Sequence, residues 1–187
     1  MLNLRQFVPR EVCLSCRGCC RFPIRDTVWA PLFLFEEILE LTQENIVPSC
    51  LFVHADTRAK KAARIDLIED TSGFICPCLE TKTNRCKIYE ARPLECRLYP
   101  FLLALKDREA YLALDIKCPY GQQARLDKSF KEYVRHLEEF LQSKEFLNLV
   151  KNNPEIVQNY GQDAEFLIAL PELSHCIHET SSSRGQR

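Results

Sequence analysis

The chain has 187 residues, 46% apolar and 27% charged, with a net charge of −1. That length suits one domain with a packed core, and the near-zero charge excludes a bulk field for nucleic acid or an anionic membrane. No apolar run reaches the roughly 18 residues of a membrane span. The N-terminus "MLNLRQFVPREV" lacks the continuous apolar stretch of a secretory signal, so the expected location is the cytoplasm, where thiols stay reduced.

In chain order, "APLFLFEEILELTQENI" (30–46) predicts a helix, with Pro31 in its first turn and Leu34, Ile38 and Leu41 on one stripe. "ARIDLIED" (63–70) alternates as a strand, followed by a turn at "TSG". "YEARPLECRLYP" (89–100) reads as a short helix opened by Pro93 and closed by Pro100. "FLLALKDREAYLALDI" (101–116) predicts a hairpin around "KDRE", although the turn lacks an Asn-Gly pair. From Ser129 to Asn152 the apolar spacing of Phe130, Tyr133, Val134, Leu137, Phe140 and Leu141 predicts one long helix, with Ser129 and Glu132 as a capping box. The end, "ETSSSRGQR" (179–187), reads as a disordered polar tail. The expectation is a single α+β domain: a cysteine-rich metal-binding region over 1–125 with a small β-hairpin, and a helical C-terminal part of the same domain over 126–178.

The chemistry lies in the cysteines. There are eleven, an odd number that cannot all pair within one chain. "CLSCRGCC" (13–20) holds four in eight positions. Cys13, Cys16 and Cys19 repeat a two-residue gap twice, which lets one loop aim three thiolates at a metal. Cys20 points elsewhere, because neighbouring side chains on extended backbone face opposite ways; it serves a second site or closes the cage from another side. Partners come from "CPCLETKTNRCKIYEARPLECRLYP", with Cys76, Cys78, Cys86 and Cys96, and from Cys118 in "KCPYG". Closed zinc and iron–sulfur sites take four such ligands. Arg17, Arg21, Arg85, Lys87 and Arg97 lie next to these cysteines, either as counter-charges to thiolates or as solvated surface charges. The pattern is not a zinc ribbon, which needs two separate C-x2-C knuckles, nor a ferredoxin run, nor a thioredoxin motif.

These stretches resemble the CxxCxxCC (YkgJ-like) cysteine-cluster family, a zinc- or iron-chelating domain that includes regions similar to flagellin lysine N-methylase. Its first motif is matched by Cys13, Cys16, Cys19 and Cys20, and its second, C-x-IY-x-x-RP-x-x-CR-x-[FY]-P, by Cys86, Tyr89, Arg92, Pro93, Cys96, Arg97 and Pro100, with Cys76 before it. A third feature, a C-P step, is matched by Cys118 and Pro119. The resemblance covers residues 13 to 121 and implies a ligand set of Cys13, Cys16, Cys19, Cys20, Cys76, Cys86, Cys96 and Cys118. Cys78 departs from the family pattern, which more often has an aromatic residue there, and is read as a packing substitute. Cys50 and Cys176 lie outside the motifs.

The expected function is a metal-binding protein whose cysteine cage holds an iron–sulfur cluster or zinc. The alternatives are a metal-dependent enzyme such as a protein (lysine) methylase, as the resemblance implies, and an interaction module with a structural metal and a protein partner. Five glycines, at 18, 73, 121, 161 and 185, form no nucleotide-binding loop, and no H-E-x-x-H occurs. "HCIH" (175–178) lies beside the tail and is set aside as a preformed metal site.

Overall fold

The computed structural model describes residues 4–16, 18–52 and 61–184. They form helices and small antiparallel sheets, an α+β chain, and divide into two compact units.

The first unit, Val8–Leu98, contains the helices α1 (Arg10–Ser15), α2 (Phe35–Gln43) and α3 (Leu94–Leu98). Its strands are β1 (Arg21–Phe22), β2 (Leu32–Phe33), β3 (Ala63–Arg64), β4 (Ile68–Asp70), β5 (Gly73–Ile75), β6 (Leu79–Glu80) and β7 (Arg85–Cys86). They pair as β1-β5-β4, β2-β3 and β6-β7, all antiparallel. Phe33, Leu41, Ile65 and Leu67 lie at the centre of the core, which also takes in Cys76 and Cys78.

Two expectations for this unit are corrected and a third is met. Pro31 does not open a helix. It precedes β2, whose Leu32 and Phe33 face Arg64 and Ala63, and α2 begins only at Phe35, where the Glu37 carboxylate accepts the Leu34 N–H at 2.9 Å. The stretch 63–70 is two strands, because the intervening donors turn to different partners: Ile65 N–H to Pro31 O and Asp66 N–H to Leu51 O. The short helix expected to open at Pro93 and close by Pro100 is α3. Tyr89–Ala91 forms a 3-10 turn and Arg92 is extended, at φ −61° and ψ 143°, the conformation favoured before proline; α3 starts after it.

Gly73 carries the turn between β4 and β5 at φ 140°, and a Cβ there would stand 2.6 Å from the Phe22 carbonyl oxygen. Only glycine lets β5 lie this close to β1.

The second unit runs from Tyr99 onward and includes the N-terminal residues up to Phe7. The strands β8 (Phe101–Lys106), β9 (Glu109–Asp115) and β10 (Ala164–Ala169) form an antiparallel sheet in the order β10-β9-β8. The β8–β9 hairpin is the expected one. Its turn residues Asp107 and Arg108 take φ 50° and 69°, so the two-residue left-handed turn forms without Asn-Gly.

The helices are α4 (Pro119–Ala124), α5 (Lys128–Leu141), α6 (Lys144–Asn152) and α7 (Pro171–Arg184). The single long helix expected over 129–152 is thus two. Ser143 breaks it and caps α6 by accepting the Phe146 N–H, as serine does at an N-cap. Asp127, not Ser129, holds the N-cap position of α5. The apolar stripe packs inward, with Phe130, Tyr133, Leu137 and Leu141 buried, and Phe7 sets its ring edge-on to Phe101 and Phe130. Helix α7 runs through Arg184, into the stretch read as tail; Glu179 on it pairs with Lys151 of α6 at 3.1 Å.

Candidate metal centre

The first unit gathers cysteines from three elements and the segments that connect them. Cys13 sits on α1, and Cys16 follows at its C-terminal cap. The chain then passes Gly18 to Cys19 and Cys20 and enters β1. The β1–β5 register pairs Arg21 with Ile75, and one residue further the Cys76 N–H donates to the Cys20 carbonyl at 3.1 Å. The two cysteine-rich stretches therefore lie side by side through backbone pairing. The Cys76 carbonyl accepts the Leu79 N–H in a tight turn, and β6–β7 pairing sets Cys86 opposite Leu79. The Asn84 amide, on a residue at φ 55°, donates to the Cys16 carbonyl at 2.6 Å and ties the β6–β7 turn to the first cysteine loop. Cys96 lies within α3.

Cys76 and Cys78 are buried, Cys13, Cys20, Cys86 and Cys96 half-buried, and Cys16 and Cys19 exposed as residues. Five thiols feel one another's charge. Burial pushes the Cys13 thiol up, with Cys19 and Cys16 adding repulsion. A thiol–thiol hydrogen bond with Cys20 and burial of the sulfur hold Cys19 well above the ordinary value. Cys76 is raised by its hydrogen bond with Cys78, then by burial, with Cys78 and Cys19 repelling it. Cys86 is pushed up to about 11, mainly by burial and then by Cys76 and Cys13. Burial also holds Cys96 well above the ordinary value, with Cys76, Glu95, Cys19 and Cys86 repelling its thiolate. Gathering these groups disfavours their charged forms until a cation enters among them.

One cation of the unit already reaches them. Arg92 Nη1 stands 3.5 Å from Cys13 Sγ, its Nε donates to the Tyr89 carbonyl at 2.8 Å, and its guanidinium lies 3.7 Å from the Tyr89 ring centroid. The basic residues expected as counter-charges turn elsewhere where contacts are described: Arg97 pairs with Glu37 at 3.6 Å, and Lys87 donates to the Pro77 carbonyl. Arg17 lies outside the described residues. Two carboxylates anchor α3 and with it Cys96. Glu37 accepts the Leu94 N–H at 2.8 Å, and Glu95 accepts the Leu32 N–H at 2.6 Å.

The donor set fits a thiophilic metal in chemistry: soft sulfurs from separate parts of the chain, with the Arg92 guanidinium against one of them. Among the described residues, no three histidine, cysteine or carboxylate side chains are arranged to hold a single ion. The thiols share a field without converging on one point.

Of the eight expected ligands, seven belong to this unit. Cys118 belongs to the other, where it is buried and caps α4 by accepting the Gly121 N–H at 3.4 Å. Cys78, read as a packing residue, is buried in the core and is also the thiol partner of Cys76; the two-residue spacing on extended backbone was its signal. Arg92 was marked only as a position of the family motif, and Glu37 had no signal beyond its residue type. In "HCIH", His175 pairs with Glu179 at 3.0 Å and His178 stands 4.0 Å from Glu109, while Cys176 is buried.

Residues 12–119 match the CxxCxxCC family, described as "Putative zinc- or iron-chelating domain". The chain belongs to the CxxCxxCC family. Its metal-binding character follows from that membership, while the description names zinc or iron without choosing. A stretch of 44 residues is 44% identical to "Uncharacterized protein MJ0661" of Methanocaldococcus jannaschii, covering 24% of this chain and 24% of that one. The match thus spans about a quarter of the relative's length. No solved structure matches. Among the described residues, no helix is long and apolar enough to cross a membrane.

Proposed function

We propose that the cysteine cage of the first unit holds an iron–sulfur cluster. The observation that supports this is the gathering in one unit of Cys13, Cys19, Cys76, Cys86 and Cys96, drawn from three elements and two connecting segments and each acting on others' charge. A mononuclear zinc site needs four sulfurs at about 2.3 Å from one ion. Cysteines repeated at two-residue gaps on one stretch, as Cys13, Cys16 and Cys19 are, suit a core of several metal atoms that takes a ligand at each corner. These five residues supply the ligands, with Cys16 and Cys20 beside Cys13 and Cys19. Cys118 is in the ligand set on the family motif alone. When bound, such a cluster supplies one-electron redox capacity. The protein groups exclude water on the Cys76 and Cys96 side and leave Cys16 toward solvent.

The test is anaerobic purification from cells, followed by analysis for iron, acid-labile sulfide and zinc, and a visible spectrum. Iron and sulfide in comparable amounts, with broad absorbance that bleaches on reduction, is the expected result. A colourless protein loaded with zinc overturns the cluster and keeps the cage; protein with neither metal and with paired thiols overturns both.

A further inference from the structure

We propose that Arg92 is the resident counter-charge of this centre, a positioning residue that holds the Cys13 sulfur in place through an Nη1–H···Sγ contact. The inference rests on the metal-binding reading above.

The guanidinium is fixed at three points: the Tyr89 carbonyl at 2.8 Å, the Tyr89 ring at 3.7 Å and Cys13 Sγ at 3.5 Å. Its backbone is held as well, extended ahead of Pro93 at ψ 143°. Tyr89 is buried, so the platform does not move with solvent. Arg10 also approaches that ring, at 5.1 Å, but pairs with Glu90 at 2.6 Å. Arg97 and Arg64 face carboxylates, Glu37 at 3.6 Å and Glu95 at 3.8 Å.

Four thiolates around a divalent ion, or around an oxidised cluster of the same charge, leave about two negative charges. A guanidinium already in place offsets part of that excess without being reordered when metal arrives. It does so through a planar fork that an ammonium cannot reproduce.

The probe is zinc alone, added to reduced metal-free protein in competition with a chromophoric chelator. Arg92→Gln should weaken zinc binding about 10–100-fold, the usual worth of a group that orients a metal ligand. Arg92→Lys should fall between the two. Arg10→Gln, which touches the same ring but no thiol, should match wild type. Arg92→Gln binding as tightly as wild type overturns the role, as does Arg10→Gln weakening binding equally. Should circular dichroism show that Arg92→Gln does not fold, Arg92→Lys decides, and wild-type affinity in that variant overturns the role of the fork. Wild-type protein that binds neither zinc nor iron removes the centre itself, and Arg92's role with it; that outcome is distinct from loaded protein indifferent to Arg92.

Discussion

Glu37 joins two helix starts at the edge of the cage, and its removal has a computable consequence. Its carboxylate accepts the Leu34 N–H at 2.9 Å and the Leu94 N–H at 2.8 Å, and stands 3.6 Å from an Arg97 nitrogen. A hydrogen bond to a charged group is worth about 1.5–3 kcal/mol. Two would give about 3–6 kcal/mol, but burial pushes the Glu37 pKa up, so desolvation takes back part of that gain. Glu37→Ala should therefore destabilise the reduced, metal-free protein by about 3 kcal/mol. Glu37→Gln keeps one acceptor oxygen and carries no buried charge, so it should lose only about 1–2 kcal/mol. The pH dependence follows from the raised pKa. The part of the stability that comes from this pKa shift is fully present below the ordinary carboxylate range and is lost as pH rises through the raised value, whereas Gln does not titrate. The gap between wild type and Glu37→Gln should thus narrow as pH rises. Denaturant unfolding followed by circular dichroism measures these differences, with Glu36→Ala, at an exposed neighbour, as the reference. Because α3 carries Cys96, Glu37→Ala should also weaken zinc binding. An Ala variant no worse than Glu36→Ala in both stability and zinc affinity would refute the anchoring role.

The remaining predictions concern the thiols. Cys96→Ser should weaken metal binding by more than the 10–100-fold, roughly, that an outer partner is worth, while Cys176→Ser, on α7 of the other unit, should keep its full metal content; chelator competition and metal analysis check both, and the reverse pattern contradicts the assignment. Metal affinity should climb steeply with pH between about 6 and 8, because thiols raised by burial and by one another begin protonated and release one proton for each thiolate formed, about four for a four-thiolate centre. A flat profile would mean that thiolates are not the ligands. In the metal-free protein, Cys86 is pushed up from 9.0 to about 11; its contribution to stability is complete below the lower value and disappears as pH rises through the upper one, so alkaline unfolding should start in that window and shift when Cys86 is replaced by Ala.

What was legible in the sequence was local. The β8–β9 hairpin and the inward stripe of Phe130, Tyr133, Leu137 and Leu141 followed from alternation and helical spacing over neighbouring residues. So did the cysteine stretches, whose match to the family covers residues 12–119. Breaks inside periodic segments were less visible. Ser143 interrupts an apolar stripe that continues through Phe146 and Val150 on α6, and periodicity alone does not register a cap between two helices that share a face. Pro93 opens α3 as read, and it also keeps Arg92 ahead of it extended, which the sequence reading did not use.

The site itself depended on contacts between distant parts of the chain. The ten-residue steps of Cys76, Cys86 and Cys96 suggest a repeat, yet these residues occupy a turn after β5, the strand β7 and the helix α3. What relates them is the field they share, set by burial and by the β1–β5 pairing that lays Cys20 against Cys76. Spacing could name candidate ligands, but it could not rank them. Cys16 enters that field through Cys13, Cys20 through Cys19 and Cys78 through Cys76, which divides the thiols into an inner group and a flanking one across both motifs. Arg92 shows the same limit. Nothing in "YEARPLEC" distinguishes its guanidinium from that of Arg97, five positions on. Arg97 turns to Glu37, and Arg92 lies on Tyr89 against a sulfur. The difference comes from the turn at Tyr89–Ala91 and the extended residue before proline, which aim one arginine at the cage while α3 carries the other to a buried carboxylate.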